Sequence, residues 1–270
     1  MKTKINIVFH QDSNESLEYA KKLFTILYRD YENILQSGLM IDTYFMCIDK
    51  KIEINNDENR LNIILVDDNI ILCDIGYIDY TKSIIVSLTP NIYNSDFDLG
   101  KIFLDAAKEN LELGIFTFLA QKLYSQKNLT LFLSHTKRDD GKLGEKIAKE
   151  YNEIISNNTK LKSFIDVNDI SYSEDIESKI DENIVDTIFI VYETDKYSES
   201  KWTQYEIVEA KKHNLPIILI NCIIKKVDRR FPYLGNMLVL NNDSIIDNIK
   251  EILIEAIRLK INAERSEERR

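Results

Sequence analysis

Short apolar runs alternate with segments of helical period along nearly the whole chain. Ile5, Ile7, Val8 and Phe9 make a first strand over Lys4–Phe9. Leu17, Ala20, Leu23, Phe24, Leu27 and Tyr31 then recur at helical spacing, which predicts an amphipathic helix over about Glu15–Leu35, ended by Ser37-Gly38. Further strands are predicted at Ile41–Ile48, Leu61–Val66, Ile70–Cys73 and Ser83–Leu88, and a long helix over about Leu99–Ser125. Its inward positions are Ile102, Phe103, Ala106, Leu113, Phe116, Leu119 and Leu123. This order fits an α/β sandwich. The polar stretch Ser125–Asn128 marks a boundary.

After it the alternation becomes more regular. Strands are predicted at Leu129–Leu133, Leu161–Val167, Thr187–Tyr192, Pro216–Asn221 and Met237–Leu240. Helices fall between and after them, at about Lys142–Ser156, Glu174–Ile184, Lys201–His213 and Ile245–Ile261. The run TIFIVY is apolar almost without break, as a strand buried on both faces requires. Five β-α units in succession predict a doubly wound, mainly parallel sheet. The domains expected are a smaller N-terminal α/β domain at 1–126, a second domain at 127–262 and a charged, fraying tail at 263–270. The segment INIVFHQDSNESLEYAKKLFTIL loosely parallels LTLFLSHTKRDDGKLGEKIAKEY, so the first domain reads either as a degenerate copy of the second or as a generic strand–loop–helix unit.

Composition narrows the function classes. The chain has 270 residues, 44% hydrophobic and 30% charged, which excludes disorder along its whole length. The net charge is −10, and both halves are acidic: −6 through Lys127 (13 basic, 19 acidic) and −4 after it (22 basic, 26 acidic). A broad nucleic-acid surface is not expected. No apolar run approaches the roughly 20 residues of a membrane helix, and the short N-terminal run reads as a strand rather than a signal peptide. A cytoplasmic, non-membrane protein is expected. Cys47, Cys73 and Cys222 are widely spaced and read as free buried thiols. His10, His135 and His213 form no ligand spacing, so no metal is expected. His10 and Asp12 follow the first strand, where open α/β sheets bind ligands, but a polar surface loop has the same look.

Four features after residue 129 occur in a telling order. FLSH (Phe132 to His135) ends the first strand of the second domain, and SFIDVNDI ends its second. VYETDKYSESKW joins the third strand to the next helix, and WTQYE sets Trp202 and Glu206 in a W-x-x-x-E arrangement. With FPYLGN (Phe231 to Asn236), these make Leu129–Leu240 resemble a TIR (Toll/interleukin-1 receptor) domain, of the bacterial NAD-cleaving kind found in antiviral defence. The resemblance implies a flavodoxin-like fold with a five-stranded, mainly parallel sheet. It departs from the family's pattern in two places. Asp169-Ile170-Ser171-Tyr172-Ser173 has no glycine where TIR pairing loops usually carry one, and Thr136 stands where some TIR NADases have arginine, two residues past the serine.

The implied chemistry is cleavage of the N-glycosidic bond of NAD, with NAD as substrate and no cofactor. Nicotinamide leaves readily because its ring nitrogen is cationic, so one carboxylate that stabilises an oxocarbenium-like ribose suffices. Glu206 is the candidate catalytic group, on the helix after the third strand. Trp202, one turn earlier, either stacks on a ring of the substrate or anchors the helix in the core. His135, Thr136, Lys137 and Arg138 read either as a solvated loop or as contacts to diphosphate and ribose. Asp166 and Asp169 flank the second loop, and Asp169 is a candidate loop-shaping or binding residue. Ser198 and Ser200 are expected to cap the helix carrying Glu206. The implied role is that of a TIR effector activated by self-association, with a defence-system partner at a sensing or assembly domain in residues 1–126. The alternatives are a non-catalytic TIR scaffold and a cyclase making a cyclic ADP-ribose signal.

Overall fold

The computed structural model of the chain describes residues 4–10, 12–30, 40–46, 60–67, 78–88, 103–105, 110–124, 129–159, 161–165, 176–225 and 237–268. Two compact units emerge, Met1–Leu123 together with Lys260–Arg270, and Tyr124–Leu259.

The first unit is built on β1 (Lys4–His10), α1 (Asn14–Asp30), β2 (Met40–Met46), β3 (Arg60–Val66), β4 (Ser83–Ser87), β5 (Phe103–Asp105) and α2 (Leu111–Tyr124). Its five strands are parallel and stand in the order β2-β1-β3-β4-β5. β1 and β3 are buried at almost every position, so both faces of the sheet are covered. A polar row crosses this apolar centre. Asn6 donates to Asn62 at 2.8 Å, and Asn62 donates to Ser83 Oγ at 3.3 Å, each pair lying directly opposite in the strand ladder.

α1 packs on β1 and β3 through Ser16, Ala20, Leu23, Ile26 and Leu27. Phe24, predicted on that inward stripe, instead lies at the surface stacked on Tyr28. The start of α1 is tied to the end of β3. The Ser13 and Ser16 hydroxyls both donate to Asp67 Oδ2, the latter at 2.5 Å. A buried carboxylate therefore sits at the helix N-terminus, where backbone N–H groups favour negative charge. His10 is buried at the end of β1, and its Nδ1 accepts the Asp12 N–H at 3.3 Å.

The long helix expected over about Leu99–Ser125 is not continuous. Phe103–Asp105 forms strand β5 against Ile85–Ser87 of β4, and the helix begins only at Leu111. A three-residue apolar run is ambiguous between helix and strand on periodicity alone, and pairing to β4 decides it. Asn110 accepts the Leu113 N–H at 3.1 Å, marking the new helix start. Every residue of α2 from Leu113 to Ala120 is buried, consistent with a helix apolar on all sides.

The second unit contains β6 (Thr130–Ser134), α3 (Leu143–Asn158), β7 (Lys162–Phe164), α4 (Ile176–Ile184), β8 (Thr187–Glu193), α5 (Lys201–Lys212), β9 (Ile217–Asn221), β10 (Leu238–Asn241) and α6 (Ile245–Glu268), the last turns of which group with the first unit. Its strands are all parallel, in the order β10-β9-β8-β6-β7. Numbered within the unit, that is 2-1-3-4-5, the flavodoxin-like order, and the first unit has the same order. One core cluster gathers Phe132, Phe164, Ile180, Ile184, Phe189, Val191, Tyr197, Ile207, Ala210 and Leu219. Phe132 stands at its centre, with ring centroids 4.9 Å from Phe164 and 5.3 Å from Phe189.

The charged C-terminal stretch does not fray after Ile261. α6 continues to Glu268, because Ala, Glu and Arg are good helix formers whatever their charge. The predicted strand Ile70–Cys73, the loop with Asp166 and Asp169, and FPYLGN all lie outside the described residues, as do Cys47 and Cys73. Cys222 is free and buried, and burial pushes its thiol up to about 12. Among the described residues no helix is long and apolar enough to cross a membrane.

Truncating Phe189 removes a fully buried ring and both its stacking and packing partners. Phe189→Ala is expected to destabilise the fold by about 3–5 kcal/mol, read as a fall in the urea midpoint at unchanged slope.

Candidate functional site

In a sheet ordered 2-1-3-4-5 the connections run in opposite directions from the first and third strands. Ligands of such folds bind outside the carboxyl ends of these two strands. In the second unit they are β6, ending at Ser134, and β8, ending at Glu193.

Glu206 lies in the second turn of α5, the helix that follows β8. The residue is only 4% exposed. Burying a carboxylate is costly unless its oxygens accept hydrogen bonds. Ser134 supplies one: its hydroxyl donates to Glu206 Oε2. Ser134 Oγ is also 2.6 Å from the hydroxyl of Tyr197, a fully buried side chain. Burial holds the Tyr197 phenol well above its usual range, and the neighbouring charges of Glu206 and Glu193 push the same way. Glu193 is itself buried, so two carboxylates lie near this hydroxyl pair.

The helix is held in place by its approach. Tyr197–Glu199 makes one turn of 3-10 helix before α5. Thr203 Oγ1 donates to the Tyr197 carbonyl at 2.6 Å, with the Ser200 carbonyl also 3.0 Å away, joining that turn to α5. Ser200 occupies the cap position expected for it, but its side chain makes no cap bond. Ser198 contributes its carbonyl, which accepts Gln204 Nε2 at 2.8 Å. The expected side-chain capping is thus replaced by Thr203, inside the helix, bonding back to the preceding turn.

Trp202 does not anchor α5 in the core. It is 43% exposed and meets Tyr205 edge-on, with centroids 6.5 Å apart. The buried residues of the helix are Thr203, Glu206, Ile207, Glu209 and Ala210 instead. The loop after β6 divides in the same way. His135 and Thr136 are buried, whereas Lys137 and Arg138 are exposed. His135 Nδ1 lies 3.5 Å from the Leu133 carbonyl, and Thr136 Oγ1 accepts the Arg138 N–H at 3.2 Å. The Arg138 guanidinium reaches the Glu199 carbonyl at 3.4 Å, beside the entry to α5. Asp169 lies outside the described residues.

Asp139 is a key residue that sequence reasoning passed over. Its buried carboxylate accepts Thr194 Oγ1 at 2.6 Å, the Lys196 N–H at 3.1 Å and the Gly144 N–H at 3.3 Å. It therefore ties the loop after β6 to the loop after β8. Its neighbour Asp140 faces solvent and pairs with Lys196 at 3.0 Å. That pairing holds the Asp140 carboxyl below its usual range and the Lys196 ammonium above its own.

Two consecutive left-handed residues, Gly141 (φ 67°) and Lys142 (φ 56°), turn the chain from this loop into α3. Among the described residues no group of three or more His, Cys, Asp or Glu side chains is arranged to hold a metal.

The first turn of α3 approaches the loop closely at Gly144. A Cβ there would lie 2.9 Å from the Thr136 carbonyl oxygen and 3.0 Å from Asp139 Oδ2. Replacing a helical glycine by alanine ordinarily stabilises by up to about 1 kcal/mol. Here the clash is with backbone and with a carboxylate already committed to three donors, and overpacking of this kind costs about 1–3 kcal/mol. Gly144→Ala is expected to lower the melting temperature rather than raise it, a sign that differential scanning calorimetry reads directly.

No curated protein matches the chain. Residues 109–226 match the family model described as the TIR-like domain of Thoeris protein ThsB. The matched span holds β6 to β9 and α5 with Glu206, and the flavodoxin-like strand order is the one the sequence resemblance implied. Over that span, in its C-terminal half, the chain is similar to a bacterial antiphage-defence TIR-like domain of the ThsB kind.

Proposed function

We propose that the second unit cleaves NAD, releasing nicotinamide, and that Glu206 is its catalytic group. The observation that carries this reading is a buried carboxylate at the carboxyl ends of β6 and β8, oriented by a hydroxyl of the neighbouring strand. As the bond from C1′ to nicotinamide breaks, its electron pair passes to the ring nitrogen and neutralises it. Positive charge then develops on the ribose. A fixed carboxylate stabilises that charge without reorganisation, in a place where water screens it little. Water then adds to C1′ and loses a proton, giving ADP-ribose.

Lys137 and Arg138 are exposed cations on the loop after β6, and in this reading they meet the diphosphate. Trp202 stands at the surface within a turn of Glu206, where its face is open to a ring of the substrate. His135 and Thr136 are buried in the same loop, and in this reading they line it toward the ribose. Asp169, outside the described residues, keeps the loop-shaping or binding role expected of it from the sequence. The matched family names a Thoeris protein, and we assign this chain a TIR defence role on that basis. Self-association through the TIR-like domain activates it, and the first unit senses or docks a partner.

Purified full-length protein, concentrated to permit assembly and incubated with NAD, is expected to release nicotinamide resolvable by chromatography. Glu206→Gln, nearly isosteric, is expected to lose about 100-fold or more of that rate. Equal activity in the two proteins would refute the assignment of Glu206. Appearance of a cyclic product in place of ADP-ribose would assign cyclisation rather than hydrolysis.

A further inference from the structure

We infer that Ser134 and Tyr197 are positioning residues for Glu206, forming a one-way chain of hydrogen bonds that turns one carboxylate oxygen inward and fixes it there. The inference rests on the reading of Glu206 as the catalytic group.

The direction of the chain follows from proton count. A serine hydroxyl has one proton to give. Ser134 spends it on Glu206 Oε2. The 2.6 Å contact between Ser134 Oγ and the Tyr197 hydroxyl must then be filled by the proton of Tyr197. Tyr197 thus donates to Ser134, and Ser134 donates to Glu206. Tyr197 keeps its proton at any ordinary pH, because burial disfavours the phenolate and two nearby carboxylates repel it.

The three groups come from parts of the fold that are fixed to one another. Ser134 is the last residue of β6 and stands opposite Val191 of β8 in the ladder. Tyr197 is held by the 3-10 turn, whose carbonyl accepts the Thr203 hydroxyl from α5. Glu206 follows Thr203 by less than one turn of that helix. The chain of hydroxyls therefore spans strand, turn and helix, and it leaves the carboxylate little freedom to rotate. Such support is what separates a group that is present from one that is in register with its substrate. A merely structural role, offsetting the burial of Glu206, predicts lost stability but no selective loss of turnover.

The test uses full-length protein and the nicotinamide-release assay. Ser134→Ala is expected to lower kcat by about 10- to 100-fold with KM for NAD changed by no more than about threefold, since misplacing a catalytic group costs turnover rather than uniform binding. Ser134→Thr, which keeps the hydroxyl, is expected to recover most of that loss. Tyr197→Phe keeps the ring in the core and removes only the outer donor, so its loss in kcat is expected to be smaller than that of Ser134→Ala. If Glu206→Gln is inactive while Ser134→Ala and Tyr197→Phe turn over like wild type, the positioning inference is overturned and the reading of Glu206 stands. If Glu206→Gln is as active as wild type, both fall together.

A second measurement needs no turnover. Infrared difference spectra of protein labelled with carbon-13 glutamate, taken against Glu206→Gln, isolate the Glu206 carboxylate band. Ser134→Ala is expected to shift that band, and an unshifted band overturns the chain even if wild type releases no nicotinamide.

Discussion

Carboxylates taken out of water need donors, and both units place such groups at the carboxyl ends of their central strands. Asp139 gathers a hydroxyl and two backbone N–H groups, and Asp67 takes two serine hydroxyls. Glu206 receives Ser134. Without such partners the desolvation penalty would amount to several kcal/mol per ion. The loops that follow the strands are therefore not independent coverings. Their conformations are dictated by which donors must reach a carboxylate, and the shape of the crevice follows from that requirement.

The two units solve this need with opposite polarity. In the second, the aspartate belongs to the loop after the first strand and draws donors from the loop after the third. In the first, the aspartate follows the third strand and draws its donors from the start of the helix after the first. The strand order is common to both. A duplicated unit requires that shared order, and we hold duplication as a proposal about residues 1–126. The difference in polarity has a functional side. Asp67 fills the N-terminus of α1, a position that flavodoxin-like folds offer to ligand anions. In the second unit Asp139 bonds to the first turn of α3, so a carboxylate occupies that helix end too, and in the proposed reading Lys137 and Arg138 meet the substrate's anion instead.

Most of the strands could be read in the sequence, because strands buried on both faces are apolar without break, as in TIFIVYE. β5 could not. FLD is three residues long, and its partner is separated from it by sixteen or more positions. The charged end of the last helix reads as fraying in the sequence, although Arg258 and Glu255 show that such side chains pair along the helix. For the site, the spacing of Trp202 and Glu206 was visible, but the environment of each was not. One is at the surface and the other is buried, although they lie about one helical turn apart. Asp139 and Asp140 are adjacent and chemically identical, so only the fold could tell the three-donor anchor from the surface ion. The Ser134–Tyr197 contact joins residues 63 positions apart, each inside a motif but with no pattern linking them.

The row Asn6–Asn62–Ser83 has a further meaning for assembly of the first sheet. Apolar strands such as KINIVFH and RLNIILV offer several nearly equivalent alignments, since valine, isoleucine and leucine pack almost interchangeably. Sliding β3 by one residue against β1 would set the Asn62 amide opposite an isoleucine, Ile5 or Ile7, with its donors buried and unmet. The same slide would carry Asp67 away from Ser13 and Ser16. Two amides and a hydroxyl thus act as an index mark within an otherwise featureless apolar sheet. They select the single alignment in which the loop chemistry at the far end of the strands can form.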